Sequence, residues 1–200
     1  MNLILASTSP YRRQLLERLR LPFTCIDPAV EESMRDGESP QARACRLATE
    51  KALSVVETLQ GEAIVIGSDQ VACLGTQILH KPGTPAAAEQ QLAASSGQTV
   101  QFWTAVSLWT GPGEPLTQRV VPCEVKMRTL STDEISRYVA LDHPLDCAGS
   151  FKWESLGITL FEAMRTEDPT ALEGLPLIAL SELLREAGVS LPLAAEPAQN

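Results

Sequence analysis

The sequence has few of the residues from which metal centres and disulfide frameworks are built. It contains two histidines, His80 and His143, and five cysteines that stand singly, with no CxxC pair. An odd number of isolated cysteines is typical of reduced, mostly buried thiols in a cytoplasmic protein, because disulfide frameworks and zinc sites need paired spacings. The sequence therefore argues against a histidine-rich metal centre and against a fold held together by disulfides.

Long apolar runs are also missing. No segment approaches the roughly 20 apolar residues of a membrane-spanning helix, and the N-terminus lacks the basic and apolar regions of a signal peptide. The formal net charge is −9, whereas a general nucleic-acid binder needs a basic surface. We therefore expect a cytoplasmic protein that binds neither a membrane nor nucleic acid.

The charge that is present is unevenly distributed. Residues 1–30 contain four arginines and two acidic side chains, whereas residues 131–200 contain four basic and twelve acidic side chains. This asymmetry favours a small anionic ligand near the N-terminal arginines over a polymeric one. The carboxylates would suit a hard metal ion.

Apolar and turn patterns predict strands that alternate with helices. Strands are predicted at 2–6, 22–27, 63–74, 98–109, 116–128 and 158–164. A hydroxyl cap followed by proline predicts helix starts at Ser9-Pro10, Ser39-Pro40 and Thr84-Pro85, and further helices are predicted from 131 to about 141 and over 176–187. The turn sequence GPGEP (111–115) predicts a hairpin between the two longest later strands. Together these elements predict a mixed-sheet α/β domain over residues 1–190, with a disordered tail over 191–200.

The junction between the first strand and the first helix, ASTSPYRRQLLERLRL (6–21), is rich in phosphate-binding groups. Ser7, Ser9, Arg12 and Arg13 lie where free backbone N–H groups and the helix dipole favour an anion. An ordinary N-cap with two solvated arginines would give the same pattern. The stretch alone leaves both interpretations open.

Two ionisable residues stand in otherwise apolar surroundings. Lys51 falls within the apolar stripe of the second predicted helix, so it must either reach solvent at the margin of the stripe or meet a buried anion. Asp69 lies at the end of the apolar run AIVIG (63–67), where ligand sites of α/β proteins gather. It could bind a divalent metal or accept a proton from water, or it could be a turn former, although no helix follows it.

Three further stretches give weaker signals. Lys81 precedes Pro82, which holds its backbone extended and can present the ammonium group to a cleft. Glu32 ends the VEE segment (30–32), either as a metal ligand or as part of a solvated loop. CAGSFKWE (147–154) could shape a pocket or form a bend. Taken together, these groups form an inventory for binding a polyphosphate with a divalent ion.

Over residues 3–188 the chain resembles the Maf family of nucleoside triphosphate pyrophosphatases. ASTSPYRRQLLERL, VEE, ATEKA, GSDQV, HKP and CAGSFKWE…GITLF…GLPL occur in the order seen in that family. The resemblance implies an elongated mixed sheet flanked by helices, with a cleft between two lobes, as in inosine triphosphatases. It also implies hydrolysis between the α and β phosphates with a divalent metal, and it allows a homodimer, since dimers are common in the family.

The resemblance assigns roles to the residues that match its motifs. Asp69 would be the proton acceptor, Lys51 and Lys81 the two cleft lysines, and Glu32 the glutamate associated with metal. Glu32 and Asp69 would together position Mg²⁺, Mn²⁺ or Co²⁺. Phosphate binding would fall to the S-x-S-x-x-R-R segment: Ser7, Ser9, Arg12 and Arg13.

Within the family, the sequence is similar to the subgroup that acts on 7-methyl-GTP. The glutamine form SDQ (68–70) and the later CAGSFKxE indicate this subgroup, and Tyr11, Gln70 and Glu154 match its specificity positions. A 7-methylated guanine carries positive charge, which an aromatic face attracts. A carboxylate can accept hydrogen bonds from the guanine N1–H and amino group.

Two alternatives stay open at this point. One is the dTTP and UTP pyrophosphatase activity of the sister subgroup. The other is a non-catalytic, nucleotide-binding regulator of septum formation. Pyrophosphate release in the presence of metal would indicate an enzyme, whereas binding without product would indicate a regulator.

Overall fold

The computed structural model describes residues 2–192, which form one mixed sheet of seven strands flanked by five α-helices. The strands are β1 (Leu3–Ala6), β2 (Thr24–Ile26), β3 (Ile64–Leu74), β4 (Gln77–Leu79), β5 (Thr99–Trp109), β6 (Thr117–Met127) and β7 (Phe161–Thr166). The helices are α1 (Pro10–Glu17), α2 (Pro40–Val56), α3 (Pro85–Ser95), α4 (Thr132–Asp142) and α5 (Leu177–Glu186). Two 3-10 helices cover Leu156–Leu160 and Pro169–Glu173.

The sheet has parallel and antiparallel parts. Its order is β2-β1-β3-β5-β6-β7, with β4 added beside β3. β1 runs parallel to both β2 and β3, whereas the β3–β5, β5–β6 and β6–β7 pairs are antiparallel. The predicted hairpin is confirmed, because β5 and β6 pair continuously from Thr99 opposite Lys126 to Leu108 opposite Thr117.

One edge of β3 is interrupted in the middle of the strand. β1 pairs with β3 only as far as Gly67, and β4 pairs with it only from Ala72 onward. Residues 68–71 therefore have a strand neighbour on one side, β5, and an opening on the other. Asp69 and Gln70 lie at this opening, so the sheet itself creates a recess at the predicted site.

Four clusters of buried apolar residues occur within residues 2–192, and the two largest form the cores of the two lobes. The first packs α1 and α5 against the sheet and includes Leu3, Leu15, Leu16, Ile66, Leu108 and Leu180. The second packs α3 and α4 against the other half of the sheet and includes Leu92, Val100, Phe102, Val125, Met127 and Ile135. The long strand β5 contributes to both cores, through Leu108 and Phe102. This is the mixed sheet with two lobes that was predicted.

The predicted helix starts are confirmed by their capping hydrogen bonds. The side chains of Ser9, Ser39 and Thr84 each accept a hydrogen bond from the backbone N–H three residues later, and each is followed by proline. Ser131 and Glu134 form a reciprocal capping box at the start of α4. These contacts satisfy N–H groups that a helix start otherwise leaves free.

The structure differs from the predicted elements in three places. β4 was not predicted, although the turn at Gly75, with its φ of +57°, marks the hairpin that forms it. β7 begins at Phe161 instead of residue 158, because residues 156–160 turn as a 3-10 helix. All five cysteines are free, but only Cys73 and Cys123 are buried, so the prediction of mostly buried thiols was wrong.

The predicted domain limits can be compared with the structure only in part. From residue 193 onward, the tail predicted over 191–200 lies outside the described residues. One sheet joins both cores, as a single domain over 1–190 would require. That boundary stays a prediction.

Candidate active site

A cleft of about 430 Å³ lies over the opening beside β3. Its walls come from the β1–α1 junction, the loop after β2, α2, β3 and four later segments. The lining side chains include Ser7, Ser9, Tyr11, Arg12, Glu32, Lys51, Asp69, Gln70, Lys81, Phe102, Asp146, Cys147, Phe151, Trp153, Glu154, Leu172 and Glu173. The structure therefore brings together ten of the eleven residues predicted for the site.

The β1–α1 junction presents hydroxyl groups to the cleft. The Ser7 hydroxyl accepts a hydrogen bond from the Ser9 N–H at 3.1 Å, and the Ser9 hydroxyl accepts one from the Arg12 N–H at 3.4 Å. Both hydroxyl oxygens thus act as acceptors within the chain, which leaves their O–H groups free to donate. A phosphate oxygen is a suitable acceptor for them.

The two adjacent arginines point to different places. Arg12 lines the cleft, and its Nε donates to the carbonyl oxygen of Gly174 at 2.8 Å. The Arg13 side chain is exposed, pairs with Glu17 one turn along α1 at 3.2 Å, and does not line the cleft. Neighbouring helix residues are about 100° apart around the axis, so one of the two must face away. The structure thus does not bring Arg13 to the site predicted for it.

Lys51 meets a buried anion and does not reach solvent at the stripe margin. Its ammonium group lies 2.6 Å from Asp69 Oδ1 and 2.5 Å from Glu32 Oε1. Lys51 and Asp69 are 6% and 5% exposed, so their charges are largely removed from water. A buried ion of this kind requires a partner to offset its desolvation, and here the pairing joins α2, β3 and the VEE loop.

Gly67 lets α2 approach β3 closely enough for this pairing. A Cβ atom at Gly67 would lie 2.1 Å from the Ala48 carbonyl oxygen and 2.7 Å from the Ala52 nitrogen. Only a residue without a side chain fits there. The glycine of GSDQV is therefore a packing requirement of the site, two residues before Asp69.

The pKa values of the two carboxylates that contact Lys51 are shifted in opposite directions. Burial raises the pKa of Asp69, and the nearby charges of Lys51 and Arg12 only partly offset that effect. Burial also opposes ionisation of Glu32, but its hydrogen bond to Lys51 and the charges of Lys51, Arg12 and Lys81 outweigh burial and lower its pKa. Two carboxyl groups with separated pKa values are typical of acid–base sites.

The backbone beside Glu32 is fastened to α2. Arg43, which is 7% exposed, donates to the Glu32 carbonyl oxygen at 2.7 Å, and Arg46 donates to the Ser33 carbonyl oxygen at 3.2 Å. Sequence reasoning missed Arg43. Its position next to Ala44 and four residues before Leu47, on the buried side of α2, was a usable signal.

We call the part of the cleft around Ser7, Ser9, Arg12, Lys51 and Lys81 the basic end. Lys81 is exposed, lines the cleft, and forms none of the salt bridges found within residues 2–192. The charges of Arg12, Lys51 and Lys81 all act on Glu32. Three cations around two carboxylates give this end a net positive charge.

The residues of the basic end are compatible with a divalent metal ion bound together with substrate. No cluster of three or more potential ligands among His, Cys, Asp and Glu occurs within residues 2–192. However, Glu32 and Asp69 lie close enough together to contact one cationic group, the Lys51 ammonium. Mg²⁺ is commonly bound through one or two carboxylates plus substrate phosphates, with no complete protein cage.

We call a second group of residues that line the same cleft, Tyr11, Asp146, Trp153, Glu154 and Glu173, the acidic end. The Tyr11 hydroxyl donates to Asp146 Oδ2 at 2.9 Å, and Lys152 Nζ lies 3.7 Å from Asp146 Oδ1. Burial raises the pKa of Glu154 and of Glu173, where the Glu154 charge adds to the increase. The three carboxylates outnumber the two cations that act on them, Lys152 and Arg18, so this end has a net negative charge.

Gln70 reaches a wall of the cleft through its amide group. Its Nε2 lies 2.7 Å from the Ala171 carbonyl oxygen, 3.1 Å from that of Leu172 and 3.1 Å from Thr104 Oγ1. The amide donors are thus used on the Pro169–Glu173 helix. Gln70, a predicted specificity residue, therefore lines the cleft and also holds the backbone next to Glu173.

Sequence reasoning missed several residues of the acidic end. CAGSFKWE lines the cleft through residues that include Trp153 and Glu154, so the prediction that this stretch shapes a pocket is confirmed. The residues that were missed include Asp146 and Glu173, which come immediately before the CAGSFKWE and GLPL stretches. Phe102 comes from the centre of β5, and nothing local distinguishes it from the other apolar residues of that strand.

The chain matches the family described as Maf-like protein over residues 2–187, and it therefore belongs to the Maf family. A 7-methyl-GTP pyrophosphatase of Xanthomonas oryzae pv. oryzae is 59% identical over 95% of this chain and 98% of its own length. Proteins of the same name from Aromatoleum aromaticum and Pseudomonas aeruginosa are 53% and 49% identical, over 95% and 96% of this chain and 97% and 99% of their own lengths.

A solved structure supports the fold. The Ham1 protein of Staphylococcus aureus superposes with a TM-score of 0.51 at 12% identity, over 93% of this chain and 99% of that protein. Within residues 2–192, no helix combines the length and the apolar character needed to cross a membrane.

Proposed function

We propose that this member of the Maf family hydrolyses 7-methyl-GTP to 7-methyl-GMP and pyrophosphate. The observation that carries the proposal is that one cleft is lined by a group of cations and by a group of carboxylates. The basic end suits a triphosphate, and the acidic end suits a base that carries positive charge. Relatives named 7-methyl-GTP pyrophosphatase, with about half or more of their residues identical over nearly the whole chain, support the same substrate.

In the proposed reaction, Asp69 accepts a proton from the water that attacks the α phosphorus. The bond between that phosphorus and the oxygen bridging to the β phosphorus breaks, and pyrophosphate leaves. Asp69 suits this role because its carboxylate lines the same cleft as the cations that would bind the triphosphate. Its burial beside Lys51 also fixes the carboxylate in one place.

The cations of the basic end bind the triphosphate and offset charge on its oxygens. Lys51 is held by Glu32 and Asp69, Arg12 is held by the Gly174 carbonyl oxygen, and Lys81 is free of salt bridges with residues 2–192. Donors that are already oriented stabilise developing charge without reorganisation during the reaction. The Ser7 and Ser9 hydroxyls add neutral donors at the α1 N-terminus.

The proposal includes a divalent cation, Mg²⁺, Mn²⁺ or Co²⁺, with Glu32 and Asp69 as the protein groups that would hold it. When bound, such an ion neutralises phosphate charge and favours loss of pyrophosphate. A cytoplasmic location and a homodimer belong to the same proposal.

At the acidic end, the Tyr11 ring provides a face for the base. Its hydroxyl is anchored by Asp146, which keeps the ring at the edge of the cleft. A cationic base stacked on an aromatic face gains about 0.5–2 kcal/mol over a neutral one. The Glu154 carboxylate would accept hydrogen bonds from the guanine N1–H and amino group.

The test is a panel of 7-methyl-GTP, GTP, dTTP and UTP, assayed for pyrophosphate release with Mg²⁺, Mn²⁺ or Co²⁺. We expect the highest kcat/KM with 7-methyl-GTP. A preference for dTTP and UTP would establish the sister activity instead. Nucleotide binding without any product would favour the regulator, and orthophosphate as the first product would contradict cleavage between the α and β phosphates.

A further inference from the structure

Glu173 is a carboxylate in the cleft to which the sequence assigned no role. It is half-buried and lines the acidic end beside Leu172. Neither Glu173 nor Glu154 takes part in any of the salt bridges found within residues 2–192. A half-buried carboxylate without a cationic partner is costly, and a bound cation would offset that cost.

The backbone on both sides of Glu173 is held by side chains from elsewhere in the fold. The Leu172 carbonyl oxygen accepts from Gln70 at 3.1 Å. The Gly174 carbonyl oxygen accepts from Arg12 at 2.8 Å and from Ser68 Oγ at 2.9 Å. Three side-chain contacts therefore fix the backbone on the two sides of Glu173.

Gly174 makes this arrangement sterically feasible. Its φ of +97° is in the region that favours glycine. A Cβ atom there would also lie 3.3 Å from Arg12 Nε, the group that binds its carbonyl oxygen. The turn after Glu173 is therefore fixed by the same arginine that lines the basic end.

Glu173 and Glu154 are close enough to affect each other. Burial raises the pKa of Glu173, and the charge of Glu154 raises it further, whereas the Arg18 charge acts in the opposite direction. Two like charges that face one cavity repel each other, and a cation bound between them would be attracted to both.

We propose that Glu173 is a specificity-determining residue that, together with Glu154, favours a purine base carrying positive charge over a neutral one. Gln70 is a positioning residue that holds Glu173 through the Leu172 and Ala171 carbonyl oxygens. This inference rests on the proposed function, because it assigns recognition of the positively charged base to a second carboxylate of the same cleft.

The experiment compares Glu173→Gln with the wild-type enzyme on 7-methyl-GTP and GTP. We expect the ratio of the two kcat/KM values to fall about tenfold, because the free energy of one hydrogen bond or contact to a charged group corresponds to about that factor. The change should appear as a higher KM for 7-methyl-GTP, with the values for GTP within about twofold of wild type. An unchanged ratio would overturn the proposal.

Glu162→Gln is the matched control. It removes the same charge from an exposed position on β7 that does not line the cleft, so we expect no change in the ratio. If Glu162→Gln lowers the ratio as much as Glu173→Gln does, the effect reflects net charge and the proposal is wrong. Thermal unfolding of both variants checks that they are folded.

Gln70→Met separates positioning from contact. It removes the amide donors at nearly constant volume, and we expect it to lower the same ratio. Combining it with Glu173→Gln should add little, because both changes remove one interaction. Fully additive effects would contradict the positioning role of Gln70.

Equilibrium binding keeps this inference distinguishable from the proposed function. Dissociation constants of 7-methyl-GMP and GMP need no turnover, so they report on the base even if the wild-type chain hydrolyses neither triphosphate. In that case the pyrophosphatase proposal fails. A preference for 7-methyl-GMP that Glu173→Gln abolishes would still support the role of Glu173, and a preference that survives would overturn it.

Discussion

The two ends of the cleft differ in how their charges are paired. At the basic end, Lys51 contacts both Glu32 and Asp69, and Arg12 is bound to the backbone at Gly174. At the acidic end, Asp146 is bound by Tyr11 and Lys152, but Glu154 and Glu173 belong to none of the salt bridges of residues 2–192. The basic end is organised before substrate arrives, whereas the acidic end has charge that a ligand can still neutralise.

This difference suggests a division of labour. Groups held rigidly by ion pairs suit the chemical step, because orientation must not be lost during reaction. Carboxylates without a salt-bridge partner suit discrimination between a cationic and a neutral base, because a cationic base relieves their mutual repulsion and a neutral base does not. The two ends meet in the segment Ser7–Arg12, which contributes hydroxyls to one and Tyr11 to the other.

The most severe test of the division is Asp69→Asn. We expect turnover to fall by at least about 100-fold, the usual contribution of a general base, with the ratio of 7-methyl-GMP to GMP affinity unchanged. The variant should fold, because burial already opposes the charged form of Asp69 and Lys51 keeps Glu32 as a partner. Pyrophosphate release together with circular dichroism checks this, and full activity would contradict the mechanism.

At the other end, Glu154→Gln should change selectivity and leave the chemistry intact. We expect the preference for 7-methyl-GTP over GTP to narrow about tenfold, with kcat for GTP close to wild type. Steady-state kinetics with both substrates measures it. A loss of kcat with both substrates would assign Glu154 to the chemical step and break the comparison between the ends.

Lowering the pH should weaken the acidic end. The pKa values of Glu154 and Glu173 are raised by burial, so these groups take up protons at a higher pH than ordinary carboxylates. As the pH is lowered, the binding preference for 7-methyl-GMP over GMP should therefore start to fall at a higher pH than carboxylates with ordinary pKa values would give. Isothermal titration at several pH values measures it. In Glu154→Gln the dependence should be shallower, and a constant preference in wild type would contradict the prediction.

The smallest effect is expected from Arg13→Ala. Because Arg13 is exposed, pairs with Glu17 and does not line the cleft, kcat/KM should stay within about twofold of wild type. Arg12→Ala is the matched comparison on the same turn and should reduce kcat/KM strongly. Equal losses in both variants would show that Arg13 turns into the cleft when substrate binds.

Much of the fold could be predicted because its signals are local. Hydroxyl–proline pairs predicted three helix starts, and the GPGEP turn predicted the β5–β6 hairpin. Each of these depends on residues within a few positions of one another. The short strand β4 was not predicted, because three residues give too little periodicity to distinguish a strand from a loop.

The site was only partly predictable, for a related reason. Residue types in a motif indicate which groups can act, as with Asp69 and Lys51, but not where adjacent side chains point. Arg12 and Arg13 are equivalent in sequence, and only the rotation of α1 against the Pro169–Glu173 helix separates them. The family resemblance named Gln70 for specificity, whereas the folded chain shows its amide bound to the carbonyl oxygens of Ala171 and Leu172.

The sequence by itself determined the chemical inventory, the order of the five α-helices and the six longer predicted strands, and the family, because these follow from residue types at short spacing. The tertiary structure alone decided that β1 stops at Gly67 and β4 begins at Ala72, which opens the sheet at Asp69. It also decided that Glu173, about 100 residues further along the chain, faces the same cleft. Charged residues that far apart in sequence line one pocket only when strand pairing and side-chain packing bring them together.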